Sequence, residues 1–309
     1  MTTRGLASIL LAIGAAASLG AQQVPVFRSS VDLVNVGVTV TDKKGNLVTD
    51  LTRDDFEIVE DGRPQTVRYF ASGDPAGDAG PPLHLGLVLD TSESMGDDMK
   101  FTKTAAVKFL NTLVDAVDVT VVDFDTEVRV ARYGQADFAR LIERIRQRSA
   151  TGWTALYDAI GVYLHGAAAL DGRKIMLLYT DGGDTRSSTP FHELIDLLKA
   201  SDATIYAIGE LEHQSSSGAL EARRTSQQIA DTTGGQAFFP VTVQELDRIY
   251  EKVLAQIRAQ YTIGYLSTNE KTDGVWRKVE IKIARKDGRD YRVRARKGYF
   301  APYKKPAGH

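Results

Sequence analysis

The chain of 309 residues contains no cysteine. This absence excludes disulfide bonds, thiol catalysis, zinc sites with cysteine ligands and a lipid-modified N-terminal cysteine. Stability must therefore come mainly from burial of apolar side chains, which a chain of this length can supply. A large net charge is also lacking, since the total is −2, although Lys271–His309 holds 13 Lys and Arg against 4 Asp and Glu. This basic tail is a compositionally separate unit.

Long apolar runs are scarce, and the stretch that best fits a targeting segment lies at the N-terminus. Within Met1–Ala21, Arg4 gives a positive start, Leu6–Ala17 is uncharged and mostly apolar, and Ser18–Ala21 offers small residues for cleavage. This pattern predicts a secretory signal peptide, with an uncleaved N-terminal anchor as the alternative. The mature protein is then expected to be periplasmic, cell-surface or secreted.

Two β-rich segments, residues 24–80 and 261–303, flank the middle of the chain. Leu33–Thr41 alternates with period two, so that four valines share one face, as in a half-buried strand. Further strands are predicted at Phe56–Val59, Val67–Phe70, Tyr261–Leu266, Trp276–Ile283 and Tyr291–Phe300. Each flank is too small to form a good core alone. We therefore expect the two flanks to pair into one β-sandwich, with the middle of the chain inserted between them.

Residues 83–259 alternate between predicted strands and predicted helices. The strands are His84–Leu89, Val119–Phe124, Lys174–Tyr179, Thr204–Gly209 and Gln236–Phe239. The helices are Met99–Leu113, Asp137–Arg146, Ala155–Leu170, Phe191–Ala200, Leu220–Ala230 and Thr242–Ala259, the last with a capping box from Thr242 and Glu245. Apolar strands that alternate with amphipathic helices predict a doubly wound α/β fold, with a mostly parallel sheet covered on both faces.

Oxygen-bearing side chains cluster where three of these elements begin or end. Asp90-Thr91-Ser92-Glu93-Ser94 follows the first strand of the α/β segment, Thr151-Gly152-Trp153-Thr154 opens a helix, and Asp181 follows the strand Lys174–Tyr179. Oxygen ligands of this kind suit hard divalent cations such as Mg²⁺. The first motif alone is equally well explained as helix-cap or turn chemistry.

The three motifs, in this order, resemble the von Willebrand factor type A domain and its metal-ion-dependent adhesion site. Position by position, the resemblance assigns Asp90, Ser92, Ser94, Thr154 and Asp181 as metal ligands. It covers residues 83–259, and the flanks resemble those of secreted bacterial proteins that carry this domain. Trp153 departs from the family pattern, which commonly has a small residue before the threonine.

The resemblance implies a binding protein and not an enzyme. It implies a Mg²⁺ ion (or Mn²⁺ or Ca²⁺) with an open coordination position, to which a protein partner offers an Asp or Glu carboxylate. Two alternatives stay open: a metal-dependent hydrolase that uses the same ion, and a structural envelope module in which the metal only stabilises the fold. The five histidines do not pair at ligand spacing, which argues against a zinc site.

The basic tail predicts a second type of contact. Arg292, Arg294 and Arg296 alternate along a predicted strand, so all three are expected to project from one face. That face is interpreted either as solvated surface or as a patch that contacts an anionic envelope component. Nucleic acid is not an expected partner of an exported protein.

Overall fold

The structure is a computed structural model that describes residues 33–72, 80–96, 99–112, 115–209, 211 and 215–304. The expected signal peptide Met1–Ala21 lies outside the described residues and stays a prediction. From Leu33 onward the chain forms one compact unit. In the part of the chain that is described, no helix combines the length and apolar character that crossing a membrane requires.

The strands and helices are numbered in chain order. The strands are β1 (Val34–Asp42), β2 (Phe56–Glu60), β3 (Arg63–Gln65), β4 (Val67–Ala71), β5 (Leu83–Asp90), β6 (Ala116–Phe124), β7 (Val128–Gly134), β8 (Arg173–Thr180), β9 (Thr204–Gly209), β10 (Gln236–Phe238), β11 (Tyr261–Tyr265), β12 (Trp276–Ile283), β13 (Tyr291–Arg294) and β14 (Gly298–Phe300). The helices are α1 (Met99–Thr112), α2 (Phe138–Gln147), α3 (Leu156–Ala167), α4 (Phe191–Ala200), α5 (Ser216–Thr232) and α6 (Val243–Arg258).

The central sheet has the strand order β10-β9-β8-β5-β6-β7. All neighbouring strands run parallel except β7, which pairs with β6 in the antiparallel direction. Every residue of β5 and β9 is buried, which explains why these strands are apolar without alternation. Burial on both faces requires covering layers on both sides.

Those layers are formed by two groups of three helices. Helices α1, α2 and α6 pack on one face of the sheet, and α3, α4 and α5 pack on the other. Gly86 in β5 makes room for one helix, because a Cβ there would lie 2.1 Å from the ring of Tyr163 in α3. The doubly wound α/β prediction is confirmed.

The flanks pair with each other in two antiparallel sheets, ordered β13-β1-β11-β4 and β14-β12-β2-β3. Each sheet combines strands from both flanks, and the two sheets share one apolar core. The four valines of β1 at positions 34, 36, 38 and 40 are all buried there, as their alternation predicts. The β-sandwich expectation is thus confirmed as architecture, whereas the limits 24–80, 83–259 and 261–303 stay proposals for the extent of each folding unit.

Three local predictions need correction. The predicted strand Tyr291–Phe300 is two strands in different sheets, because the chain crosses from one sheet to the other after Arg294. Strand β7 was not predicted at all; it is an edge strand with no buried residue, so no apolar run marks it in the sequence. At α6, Thr242 Oγ1 accepts from the N–H of Glu245 at 3.1 Å, but the Glu245 carboxylate accepts from Val241 and not from Thr242.

Candidate metal-binding site

Three loops meet at the edge of the central sheet where its parallel strands end. The first follows β5, the second precedes α3 and the third follows β8. Backbone hydrogen bonds join them, since Glu93 donates to the oxygen of Gly152 (3.1 Å) and Thr185 donates to the oxygen of Thr154 (2.9 Å). The carboxyl ends of strands are where open α/β sheets bind ligands.

Asp90, the last residue of β5, has no exposed surface. Its Oδ1 accepts hydrogen bonds from the backbone N–H (3.0 Å) and the hydroxyl (2.6 Å) of Ser92, and its Oδ2 accepts one from the hydroxyl of Thr180 (2.7 Å). Burial and, secondarily, the nearby Asp181 carboxylate raise the pKa of Asp90 to about 7. Both effects disfavour the charged form of the acid.

The two serines of the first loop bring their hydroxyls into contact. Ser92 Oγ lies 3.1 Å from Ser94 Oγ while it donates to Asp90. A single turn of 3-10 helix, Glu93–Met95, sets this geometry, and the fully buried side chain of Met95 anchors the turn. The spacing of two residues in the sequence therefore becomes a connected set of three side chains.

The second and third loops place Thr154 and Asp181 near the first. Both residues are buried, each with 5% of its surface exposed. The backbone of Thr154 is fixed by the third loop, because its N–H donates to Thr185 Oγ1 at 3.0 Å. Asp181 Oδ1 accepts from the N–H of Gly183 at 3.3 Å. The Asp181 carboxylate is close enough to Asp90 to raise the pKa of that carboxyl.

One residue of the site was missed by the sequence analysis. Thr180, the last residue of β8, is fully buried; its hydroxyl donates to Asp90 and accepts from the N–H of Gly182 at 3.0 Å. It thereby positions the Asp90 carboxyl and the third loop at once. The available signal was a hydroxyl residue directly before Asp181, at the end of an apolar strand.

The third loop also passes close to α5. Gly182 has a φ of +83°, and a Cβ there would lie 2.7 Å from the side chain of Ala222. Only glycine fits both the left-handed backbone and this close approach. The other acidic residue of the loop, Asp184, accepts from the N–H of Tyr157 (3.2 Å) and the hydroxyl of Ser187 (2.6 Å). Asp184 therefore holds the start of α3.

Comparison with known proteins identifies the family. The model of the von Willebrand factor type A domain matches residues 84–252, more than half of the chain. The chain belongs to the von Willebrand factor type A (VWA) domain family. VWA domains often mediate protein–protein interaction. No curated protein is similar enough to count as a match.

Solved structures of other VWA proteins share the fold. A von Willebrand factor type A protein from Catenulispora acidiphila aligns with 89% of this chain and 76% of its own, at 15% identity and a TM-score of 0.50. The vWF domain of the type V pili tip protein Mfa5 from Porphyromonas gingivalis aligns with 63% of this chain and 99% of its own, at 14% identity and a TM-score of 0.47. The first of these similarities concerns the fold alone.

The residues of the VWA site fit a hard divalent cation. Among the residues that the structure describes, the buried Asp90 carboxyl contacts N–H and hydroxyl groups and forms no ion pair with a Lys, Arg or His. The same residues contain no group of three or more His, Cys, Asp or Glu side chains that could hold a metal. The ligand set taken from the family contains only two carboxylates, and hydroxyls make up the rest. Such an all-oxygen set suits Mg²⁺ better than softer metals.

Trp153 directly precedes Thr154 in the second loop. Its side chain is 64% exposed, and its backbone N–H donates to Thr126 Oγ1 at 2.9 Å. An exposed indole next to a candidate binding position is available for an apolar contact with a partner.

The basic tail does not form one solvated face. Strand β13 ends at Arg294, so Arg296 lies beyond it. Arg292 is exposed, whereas Arg294 donates to Gln236 Oε1 (2.6 Å) and Arg296 donates to the backbone oxygen of Ser201 (3.3 Å). The prediction that the three arginines project from one strand face is wrong for Arg296, because β13 ends before it. Arg292 and Arg294 alternate within β13 as predicted, but Arg294 and Arg296 contact residues of the VWA domain and are half-buried.

Proposed function

We propose that this chain is an exported, non-enzymatic binding protein whose VWA domain engages a protein partner through a divalent cation. The ion is Mg²⁺, or Mn²⁺ or Ca²⁺, and its ligands are Asp90, Ser92, Ser94, Thr154 and Asp181. The observation that supports this most strongly is the environment of Asp90. The Asp90 carboxyl is fully buried, accepts hydrogen bonds from hydroxyls and forms no ion pair with a described cationic side chain, and the nearby Asp181 carboxylate raises its pKa.

A divalent cation would supply the positive charge that this environment needs. An ionised carboxyl in a buried position is costly unless it is paired or bound to a metal. Serine and threonine hydroxyls are neutral, so an ion held mostly by them keeps much of its charge. The chain's own residues would thus hold the ion, and a carboxylate of the partner would complete its coordination.

Export is the second part of the proposal. It rests on the composition of Met1–Ala21, which matches a secretory signal. The VWA domain would lie outside the cytoplasm whether the signal is cleaved or is retained as an N-terminal anchor. Fractionation of cells that express the full chain tests this directly, and recovery of the protein only in the cytoplasm would contradict it.

Partner binding is tested with immobilised protein and envelope extracts, in Mg²⁺ and in EDTA. We expect a partner that is retained in Mg²⁺, released by EDTA, and lost with Asp181→Asn. The matched control is Asp184→Asn, which removes a carboxylate from the same loop but outside the proposed ligand set, and should retain the partner. A partner that is retained in EDTA and also retained by Asp181→Asn would contradict the proposal. A metal that raises Tm while no partner is found would favour the structural alternative.

A further inference from the structure

A second candidate site lies in a cleft between the VWA domain and the sandwich. Helices α4 and α5 form one wall, and strands β12 and β14 form the other. Its volume is about 1030 Å³, which slightly exceeds the range of roughly 300–1,000 Å³ for ligand pockets. The hydrogen bonds from Arg294 and Arg296 described above fix the two walls relative to each other.

The sandwich wall carries a preformed aromatic surface. The rings of Trp276 and Phe300 meet edge to face, with centroids 5.1 Å apart and planes at 70°. Trp276 lies directly over Gly298, because a Cβ at this glycine would be 2.4 Å from the indole ring. The ammonium of Lys199 lies 5.9 Å from the indole centroid, on the side of the VWA domain. The indole is half-buried, and it offers a ligand the part of its surface that Gly298 and Lys199 leave uncovered.

The opposite wall is a polar stripe on α5. Arg224, Gln227, Gln228, Asp231 and Thr232 all line the cleft. Their spacing of i, i+3, i+4, i+7 and i+8 places them on one face of the helix. Together they present a guanidinium, two amides, a carboxylate and a hydroxyl, which are donors and acceptors for a ligand with many hydroxyl groups.

The charge of the cleft is positive. Lys199 and Lys278 each form an ion pair with a carboxylate of their own helix or strand, at 3.1 and 2.5 Å. Arg224, Lys297 and Asp231 also line the cleft, and within the described ranges no ion pair joins any of them to an opposite charge. The cations Arg224 and Lys297 outnumber the carboxylate of Asp231, and this excess of positive charge favours a ligand that carries negative charge.

We propose that this cleft binds an acidic oligosaccharide, with a sugar ring against Trp276 and a sugar carboxylate near Arg224 and Lys297. The C–H faces of a pyranose ring pack on an aromatic face, its hydroxyls match the amides and hydroxyl of α5, and its carboxylate matches the excess of cations. This site is separate from the metal-binding proposal and does not depend on it.

The experiment uses the full chain and the trimer of galacturonic acid as the probe. The chain has two tryptophans, Trp153 and Trp276, so Trp153→Phe leaves Trp276 as the single indole. We expect a saturable change in its fluorescence as the trimer is added, in Mg²⁺ and in EDTA alike. A neutral trisaccharide, maltotriose, should bind about tenfold more weakly or not at all.

Calorimetric titration of variants tests the residues. Lys297→Glu should weaken trimer binding about tenfold, whereas Lys286→Glu, the same charge reversal at an exposed position of the tail outside the cleft, should not change it. Trp276→Ala should abolish binding while the far-ultraviolet circular dichroism stays that of the parent. Absence of trimer binding, equal binding of maltotriose, or equal binding by Lys297→Glu would overturn the proposal. Capture of an acidic peptide in place of the sugar would overturn it as well.

Discussion

The buried carboxyl of Asp90 should make the stability of the EDTA-treated protein fall with rising pH. Its pKa is raised from 3.8 to about 7 by burial and by the nearby Asp181. The unfolded chain therefore ionises at this position before the folded chain does. The stabilising effect of the protonated group is full below pH 3.8 and is lost as the pH rises towards 7.

The magnitude follows from the shift. A shift of about three pKa units changes the free energy of unfolding by about 4 kcal/mol in total. About 3 kcal/mol of this stability is lost between pH 5 and pH 8. In a chain of this size, that loss lowers Tm by roughly 6–10 °C. A divalent ion that binds the ionised carboxyl should restore this stability, so the gain in Tm on adding Mg²⁺ should be small at pH 5 and largest at pH 8.

Differential scanning calorimetry at pH 5, 6, 7 and 8, in Mg²⁺ and in EDTA, measures both effects. Asp90→Asn is the matched variant, since the amide keeps the size of the side chain but does not titrate. Its stability in EDTA should lack this pH-dependent loss, and Mg²⁺ should not raise its Tm. Equal Mg²⁺ stabilisation of the parent at pH 5 and pH 8, or the same pH dependence in Asp90→Asn, would refute the reasoning.

Three further predictions concern single side chains. Trp153→Ala should change the free energy of unfolding by less than about 0.5 kcal/mol, because the indole is 64% exposed; it should weaken partner retention in the pull-down, and unchanged retention would exclude a contact there. Glu60→Gln should lower the free energy of unfolding, measured in urea, by about 3 kcal/mol. The reason is that Arg277, which is 3% exposed and lies 3.6 Å from Glu60, would lose its buried counter-charge. A change below about 1 kcal/mol would contradict this. Gly86→Ala should cost about 1–3 kcal/mol in the same assay, because its methyl group would overlap the ring of Tyr163, and a neutral effect would show that the ring can move.

The sequence predicted the architecture well where burial alone decides it. Four valines with period-two spacing predicted β1, and continuous apolar runs predicted β5 and β9, because the number of buried faces is directly visible in the pattern. Which sheet a strand joins was harder to predict from the sequence. Nothing local to Ala295–Lys297 indicates that the chain leaves one sheet there and enters the other.

In the candidate site, too, the features set by local sequence were predicted and those set by long-range contacts were not. Motif spacing indicated the first loop, and the structure connects Asp90, Ser92 and Ser94 by contacts of 2.6 and 3.1 Å. Thr180 was missed because its role depends on β8 lying directly beside β5, which is a property of the sheet order. The inward contacts of Arg294 and Arg296 were missed for a related reason, since alternation gives the face of a strand but not what packs against it.

The central claim is that the first and third loops hold a divalent cation through Asp90. Isothermal titration calorimetry of Mg²⁺ into the EDTA-stripped full chain at pH 8, repeated with Asp90→Asn and Asp184→Asn, tests it most directly. The account predicts one Mg²⁺ site in the parent and in Asp184→Asn, and no binding by Asp90→Asn. Absence of binding to the parent, or binding of equal strength by Asp90→Asn, would contradict it.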